Sequence, residues 1–401
     1  MIIMQSAYEV TNIYKDWINQ YYEIVENLDE RAAKILEIIS IKNTTNLSKI
    51  AKILNLPNST VYNIVTKLRE KNLLSIRAII NTMALGLKPY SVILYHTSNK
   101  NAERILQANK DYWTYAAKGR TDRPCFYVKY VIPDKHEKDF IEFLETALQL
   151  NLISDYEAYP ITATYDPPLS FKNFNFQTKI WSFNWYEFLD SIRNITLISN
   201  ERLISSNISR QKLDKIDLRI LKNLEINAFT DLRPIQRSLK NVTFQTVYYH
   251  YINHIIKKGL INNFRIVSIP YPYSINGKIV VDSMIIFITF KDQEWLFKFA
   301  SMLNGIFARG VTRIPGKNIL VFDIRLPHVE THEFFNMLDT MIEEGIITSY
   351  RCIWLDLRTG KTETLPYEKY DTRTGTWRWY QEEYLLNLQK SLEETKYSVV
   401  T

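Results

Sequence analysis

Apolar residues return every three or four positions in three short stretches near the front of the chain. Ala32, Ile35, Leu36 and Ile39 follow Asp29, a residue type that caps helices. Leu47, Ile50, Ala51 and Leu54 follow Asn46, a second capping residue. Val61, Ile64, Val65 and Leu68 follow Asn58 and Ser59, either of which is placed to cap a third helix. Pro57 marks the turn before it, since a helix interior does not tolerate proline. Ser75 to Asn81 then reads as a strand or wing. Helix, helix, tight turn, helix and wing predicts a winged helix-turn-helix.

Beyond residue 89 the pattern changes. Ser91–His96 predicts a strand and Asn101–Ala108 a short helix. Tyr112–Ala117 and Cys125–Ile132 predict two strands around a turn containing Gly119. Lys135–Leu150 carries Phe140, Phe143, Leu144 and Leu148 on one helical face, and Ile153–Thr162 reads as a last strand. The order is βαββαβ, a ferredoxin-like arrangement. It returns as Ile279–Phe290, Trp295–Leu303, Ile306–Thr312, Asn318–Leu326, Thr331–Glu344 and Ile347–Leu357.

Individual residues return as well. Leu28-Asp29 with Ile35-Leu36 reappears 185 positions later as Leu213-Asp214 with Ile220-Leu221, and Thr60-Val61-Tyr62 reappears after 186 as Thr246-Val247-Tyr248. Pro133, Phe140, Leu144, Ile153 and Tyr156 reappear after 194 as Pro327, Phe334, Leu338, Ile347 and Tyr350. Matches that keep register over this span predict a tandem duplication. The expected fold class is α+β, with two winged helix-turn-helix domains (28–84 and 213–270) and two ferredoxin-like βαββαβ domains (85–166 and 271–358). An amphipathic helix is expected over 1–27, from Tyr8, Ile13, Trp17, Tyr21 and Ile24. An aromatic tail and linker occupies 167–212, with its hinge at 190–212, and a second aromatic tail occupies 359–401. The tails, Trp181 to Leu189 and Trp377 to Leu385, are expected to latch the two modules of each repeat together, with stacking on nucleic-acid bases as the alternative.

With 46% apolar residues in 401, the chain has material for several cores, which excludes global disorder. The net charge of +7 means little until its placement is known. Between Leu47 and Thr82, Lys49, Lys52, Lys67, Arg69, Lys71 and Arg77 stand against Glu70 alone. Between Asp231 and Arg265, Arg233, Arg237, Lys240, Lys257, Lys258 and Arg265 stand against Asp231 alone. Both excesses fall on the modules expected to meet DNA. On the first third helix, Ser59, Thr60, Tyr62, Asn63, Thr66 and Lys67 are left facing outward, with Lys71 and Arg77 beyond them. On the second, an inward stripe of Tyr248, Tyr251, Ile252 and Ile255 leaves Thr246, Tyr249, His250, Asn253 and Lys257 outside, joined by Lys258 and Arg265. Hydroxyl, amide and basic groups at such positions suit base edges and phosphates.

Leu28-Asp29 with Ile35-Leu36, the Leu56-Pro57-Asn58-Ser59-Thr60-Val61 helix entry and Leu68-Arg69-Glu70-Lys71-Asn72-Leu73-Leu74 resemble the Lrp/AsnC family of prokaryotic transcription regulators. Gly119-Arg120-Thr121-Asp122 and Pro315-Gly316-Lys317-Asn318-Ile319-Leu320-Val321 resemble the central turn of that family's βαββαβ effector module, with Asn318 where the family usually has Asp. The resemblance implies a DNA-binding regulator whose sheets pair, within or between chains, and which takes a small effector. It places no effector-contacting residue. The second helix-turn-helix departs from the first through Phe244, Tyr248, Tyr249 and Tyr251.

The expected partner is double-stranded DNA, with a homodimer through the ferredoxin-like sheets. Two recognition helices on one face of DNA would lie about 34–36 Å apart, or a multiple of that. The alternatives are an architectural nucleoid-type protein with little sequence preference, and a ligand-sensing or scaffold protein whose winged helices bind proteins. No phosphate-cradling loop, nucleophile elbow or metalloprotease helix stands in the sequence, so no enzyme and no cofactor are expected. His328-Val329-Glu330-Thr331-His332 spaces two imidazoles one helical turn apart without a clear third ligand, so a capping or surface role is expected and no metal. Cys125 and Cys352 have neither metal nor disulfide spacing, which fits reduced thiols. No apolar run approaches a membrane span, and Met1-Ile2-Ile3-Met4 is too short for a secretion signal. The expected location is cytoplasmic, at the nucleoid.

Overall fold

The computed structural model describes residues 28–71, 74–96, 98–161, 164–196, 210–229, 232–239, 241–266, 274–275, 278–279, 281–304, 306 and 308–398. The expected helix over 1–27 lies outside them, as does most of the expected hinge. The first three helices are α1 (Glu30–Ile41), α2 (Leu47–Leu54) and α3 (Asn58–Glu70). Asp29 accepts the Ala32 N–H at 2.8 Å and Asn46 the Lys49 N–H at 3.0 Å, so both expected caps form. Helix α3 begins one residue earlier than either capping choice allowed. Pro57 takes the cap position, with no side-chain hydrogen bond, and Asn58 and Ser59 lie inside the helix.

Strand β1 (Ile76–Ile80) leads to β2 (Leu87–Tyr95), α4 (Asn99–Ala108), β3 (Trp113–Arg120), β4 (Pro124–Pro133), α5 (Glu137–Gln149), β5 (Asp155–Pro160) and β6 (Thr164–Tyr165). The first tail forms the hairpin β7 (Phe174–Asn175) and β8 (Ile180–Trp181), then α6 (Trp185–Asn194). The second half follows the same order. Helices α7 (Lys215–Ile226), α8 (Leu232–Ser238) and α9 (Phe244–Tyr249) precede β9 (Ile261–Ile266), and α9 runs on as a π-helix over His250–Ile256. A short pair, β10 (Ser274–Ile275) and β11 (Lys278–Ile279), leads into β12 (Val281–Phe290), α10 (Gln293–Met302), β13 (Ala308–Arg313), β14 (Ile319–Pro327), α11 (His328–Glu343) and β15 (Ile347–Leu355). The chain closes with β16 (Lys361–Thr362), β17 (Tyr370–Asp371), β18 (Thr376–Trp377) and α12 (Gln381–Ser398). The twelve βαββαβ elements expected from periodicity all stand within a few residues of their expected bounds.

The two βαββαβ sheets join into one, in the order β5-β2-β4-β3-β15-β12-β14-β13-β6, with β16 added on β3. The join is β3 against β15, where Gly119 stands opposite Leu355 and Arg120 opposite Trp354. Gly119 therefore lies in the ladder, and the turn follows at Thr121–Arg123, closed by the Thr121 N–H on Arg123 O. A Cβ at Gly119 would come within 2.9 Å of Ile353 Cγ2, so this glycine serves the close approach of two strands.

Alternation along each strand separates two faces. Val92 and Leu94 face the helices, while Ile93 and Tyr95 turn inward to meet Ile285, Phe287, Val321 and Ile353 of the second half. Of the two expected pairings, within or between chains, the sheets adopt the one within the chain. The winged modules are paired too, because β1 runs antiparallel to β9, with Arg77 opposite Arg265.

The tails differ from expectation in where they reach. The Trp185 indole N–H donates to Glu330 at 2.9 Å, its ring packs on Phe334, and Phe188 packs on Phe299. In return, the Trp377 indole N–H donates to Leu85 O at 2.7 Å, and Trp379 and Tyr384 pack around Tyr112. Each tail lies against the other half's sheet helices and also holds the winged module of its own half, through the Phe171 N–H on Glu37 in the first and the Tyr367 hydroxyl on Glu225 in the second. Trp181, Trp185 and Trp377 are buried, which removes them as base-stacking platforms. Among the described residues no helix is long and apolar enough to cross a membrane, and both cysteines are free.

Candidate functional site

The expected DNA-contact residues divide into two groups. On α3, Ser59, Tyr62, Asn63, Lys67 and Lys71 are exposed and Thr60 and Thr66 partly so, while Val61, Val65 and Leu68 are buried beneath them. Tyr62, Thr66, Arg69 and Glu70 also line an open hollow of about 450 Å³ that reaches Asn227. Arg77 is half-buried on the paired wings, close enough to Glu225 to act on its charge.

The second group is broken up. Tyr249, Lys257 and Lys258 are exposed and Thr246 partly so. Asn253 donates to Tyr249 O and accepts from the Lys257 ammonium, so its amide is engaged within the helix. His250 is buried, not outward, with Nδ1 2.8 Å from Asp217 Oδ1. Tyr248, expected inside, is 51% exposed, and Val247 takes the core position. The inward stripe stands one position away from the expected one: Val247, His250 and Tyr251 take the places of Val61, Ile64 and Val65 at ordinary helical spacing, before and at the start of the π-helical stretch. Arg265 is also withdrawn, since its guanidinium grips Asp166 through two hydrogen bonds of 2.7 Å. His328 lies exposed against Asp282, and His332 is exposed on α11 with no ligand set around it among the described residues.

The densest collection of unusual charge lies elsewhere, at one end of the space between the two inner sheet faces. Lys129 on β4 and Tyr115 on β3 come from the first half. Arg309 on β13 and Asp323 and Arg325 on β14 come from the second, and Asp166 and Arg265 close the end. Strand β13 carries a register shift between Arg309 and Thr312, with Gly310 at φ +53°. A Cβ there would sit 3.0 Å from Lys129 Nζ, and the Gly310 N–H donates to Asp166 at 2.6 Å. The bulge makes room for the ammonium and turns a backbone donor onto the carboxylate.

Four cations share this cleft with two carboxylates. Burial presses the Lys129 ammonium below its ordinary pKa, against the opposing pull of Asp323. Burial likewise lowers the Arg309 guanidinium to about 9, with Arg325 and Arg265 adding repulsion. Burial alone would raise Asp166, but Arg265 and the Gly310 N–H hold its carboxyl below the usual range. Tyr115 is pushed up to about 12 by burial and by Asp323, so it stays a phenol, and its hydroxyl has no hydrogen-bond partner among the described residues. A recess of about 50 Å³, lined by Asp166, Asn263, Arg265 and Arg309, opens beside this group. Such a place suits an anion, because a negative group would relieve the mutual repulsion of the cations.

Elsewhere between the faces the charges are matched. Arg351 grips Glu157 through bonds of 2.6 and 2.8 Å, and Tyr95 donates to the same carboxylate at 2.6 Å. Burial works against the charge on Glu157, yet these partners bring its pKa down to about 2. Glu157 and Arg351 stand 194 positions apart in sequence, as do Lys129 and Asp323.

No family model matches the chain, and no curated protein matches it. Among solved structures, siroheme decarboxylase NirDL in complex with an iron-uroporphyrin III analogue aligns with a TM-score of 0.51 at 10% identity, covering 90% of this chain and 98% of that one. The fold of the whole chain is similar to that of a siroheme decarboxylase. AsnC of E. coli aligns over 33% of this chain and 91% of its own, at 19% identity and a TM-score of 0.26. The regulator NMB0573 of Neisseria meningitidis, in complex with L-Met, aligns over 36% of this chain and 97% of its own, at 14% identity and a TM-score of 0.30. The full-length likeness to an enzyme overturns the expectation that this chain is not one. That expectation rested on missing local motifs, and a reacting centre assembled from distant strands needs none. Lys129, Arg309, Asp323 and Tyr115 share no spacing that announces a site. The available signal was charge at inward strand positions, where Lys129, Asp323 and Arg325 interrupt an apolar alternation.

Proposed function

We propose that the chain is an enzyme that binds a carboxylate-bearing small molecule at the cleft between the inner faces of its two sheet halves and removes a carboxyl group from it. The observation that carries this reading is the cation excess of Lys129, Arg265, Arg309 and Arg325 over Asp166 and Asp323 in one partly buried place. The full-length fold likeness to a decarboxylase supports it. The 50 Å³ recess has room for one carboxylate arm and not for a macrocycle, so a polycarboxylate ring would lie at its mouth. Guanidinium groups would hold its other carboxylates, and Tyr115, a phenol at neutral pH, would give the carbon its proton once carbon dioxide leaves. An iron-uroporphyrin titration followed by absorbance, with mass analysis for carbon dioxide loss, tests this. Lys129→Gln and Arg309→Gln should each weaken binding by about tenfold or more. Unchanged binding in both variants, with no mass loss in the parent chain, would retire the proposal.

A second reading, as a DNA-binding regulator, rests on the outward face of α3, where Ser59, Tyr62, Asn63 and Lys67 are exposed together, with Lys71 exposed at its C-terminal end. It takes the chain as two fused Lrp/AsnC-like units with the boundaries expected from sequence. Fluorescence anisotropy on duplex fragments should then show salt-sensitive binding, and Asn63→Ala with Lys67→Ala should abolish it. Equal affinity for parent and variant would remove α3 from the reading.

A further inference from the structure

We propose that Asp214, Asp217, His250 and His254 form a site for one divalent transition-metal ion, zinc by donor chemistry, which fastens the π-helical turn to the start of α7. The site is separate from the cationic cleft, and the proposal stands whether or not the chain is a decarboxylase.

His250 Nδ1 lies 2.8 Å from Asp217 Oδ1 and 3.5 Å from Asp214 Oδ2, and His254 Nδ1 lies 3.1 Å from the same Asp217 oxygen. The four ligand atoms all fall within 4.8 Å of one another. Bonds of about 2.0–2.1 Å to a tetrahedral ion set its ligand atoms roughly 3.3–3.4 Å apart. The observed spacings bracket that value, so small side-chain shifts would admit the ion. Two imidazoles and two carboxylates form a donor set that zinc accepts.

His250 opens the π-helix His250–Ile256 and His254 lies within it, and their ring centroids are 4.3 Å apart. Both imidazoles aim the same nitrogen, Nδ1, at a single carboxylate oxygen. π-turns are rare and gather at functional sites, because the wider turn costs helix packing that something else must offset. The carboxylates are fixed beforehand. Asp214 caps α7 by accepting the Ile216 and Asp217 N–H groups, and Asp217 accepts the Asp214 N–H in return.

The first winged module keeps apolar side chains in the places of three of these ligands. Under the shifts of 185 and 186, Asp217 answers to Ala32, His250 to Ile64 and His254 to Leu68. Ala32 and Leu68 are buried and Ile64 packs against that core. One module thus closes these positions with hydrocarbon, while the other places a carboxylate that is 2% exposed between two imidazoles. A buried carboxylate and imidazole, with a second imidazole half-buried beside them, lose stability against hydrocarbon unless their bonding capacity is filled, and a metal ion would fill it.

Tag-free full-length protein, stripped with a chelator, is titrated with Co2+. The expected result is one equivalent bound, with the strong visible bands of a tetrahedral site, displaced by one equivalent of Zn2+. Zn2+ should also raise the Tm. His254→Gln replaces a ligand that is 27% exposed in its side chain, and Asp214→Asn one that is 51% exposed, so both should still fold. Each should weaken Co2+ binding by at least about tenfold and abolish the Tm response to Zn2+. His328→Gln, remote from the site, should leave both unchanged. Absent binding in the parent chain, a weak octahedral spectrum, or equal binding by parent and His254→Gln would each overturn the site.

Discussion

Glu225 shows how one residue can tie stability to pH. Its carboxyl accepts the Tyr367 hydroxyl at 2.7 Å and the Leu365 N–H at 3.2 Å, pinning the second tail beneath α7. Burial raises its pKa to about 7, against the lowering pull of those bonds and of Arg77 and Lys222. A raised carboxyl favours the protonated fold. Its contribution is full below the ordinary value near 4.5 and is lost as pH rises through about 7. Glu225→Gln keeps both acceptor bonds and cannot ionise. Thermal melts should therefore show parent and variant alike at pH 5 and the variant more stable at pH 8. A difference that ignores pH would show that Glu225 is not the titrating group. Residues also mark where sequence reasoning ends. The outward set on α3 was legible, because three and a half turns of regular helix carry the pattern faithfully. His250 was not, since an inward stripe drawn from Tyr248 instead of Val247 sends it to the wrong side.

At the scale of elements, periodicity recovered the helices and strands because each is a local pattern with its own cap or turn. Partnership between elements was not legible. Nothing in Trp185 or Glu330 taken singly says that they meet across 145 positions, and the tails accordingly reach the opposite half. Trp185 is 5% exposed, packed on Phe334 and bonded through its indole nitrogen. Trp185→Ala should cost about 3–5 kcal/mol, the usual toll for emptying a buried aromatic site. Urea unfolding measures this, and a loss below about 1 kcal/mol would mean the latch contributes little. The ribbon of β1 and β9 was half legible. Its first strand was expected as a wing, and its use as a pairing strand depends on a partner almost two hundred residues away.

For the whole molecule, the crossed tails, the shared sheet and the paired wings make each half incomplete alone. Fragments 1–203 and 204–401, expressed together, should purify as a one-to-one complex, and each expressed alone should aggregate, because its inner sheet face and its tail would lie open. A soluble, cooperatively folding single fragment would contradict this. The pairing of Glu157 with Arg351, and the pull of Asp323 on Lys129, have a further meaning. Across a two-fold axis between identical chains a residue near the axis meets its own copy, so an acid there would face an acid and a base a base. In this chain those equivalent places hold opposite signs. Two first halves brought together would set Glu157 against Glu157, and two second halves Arg351 against Arg351. Opposite signs at these places favour a first half against a second over either half against its own copy, so the charges select the pairing that the shared sheet adopts.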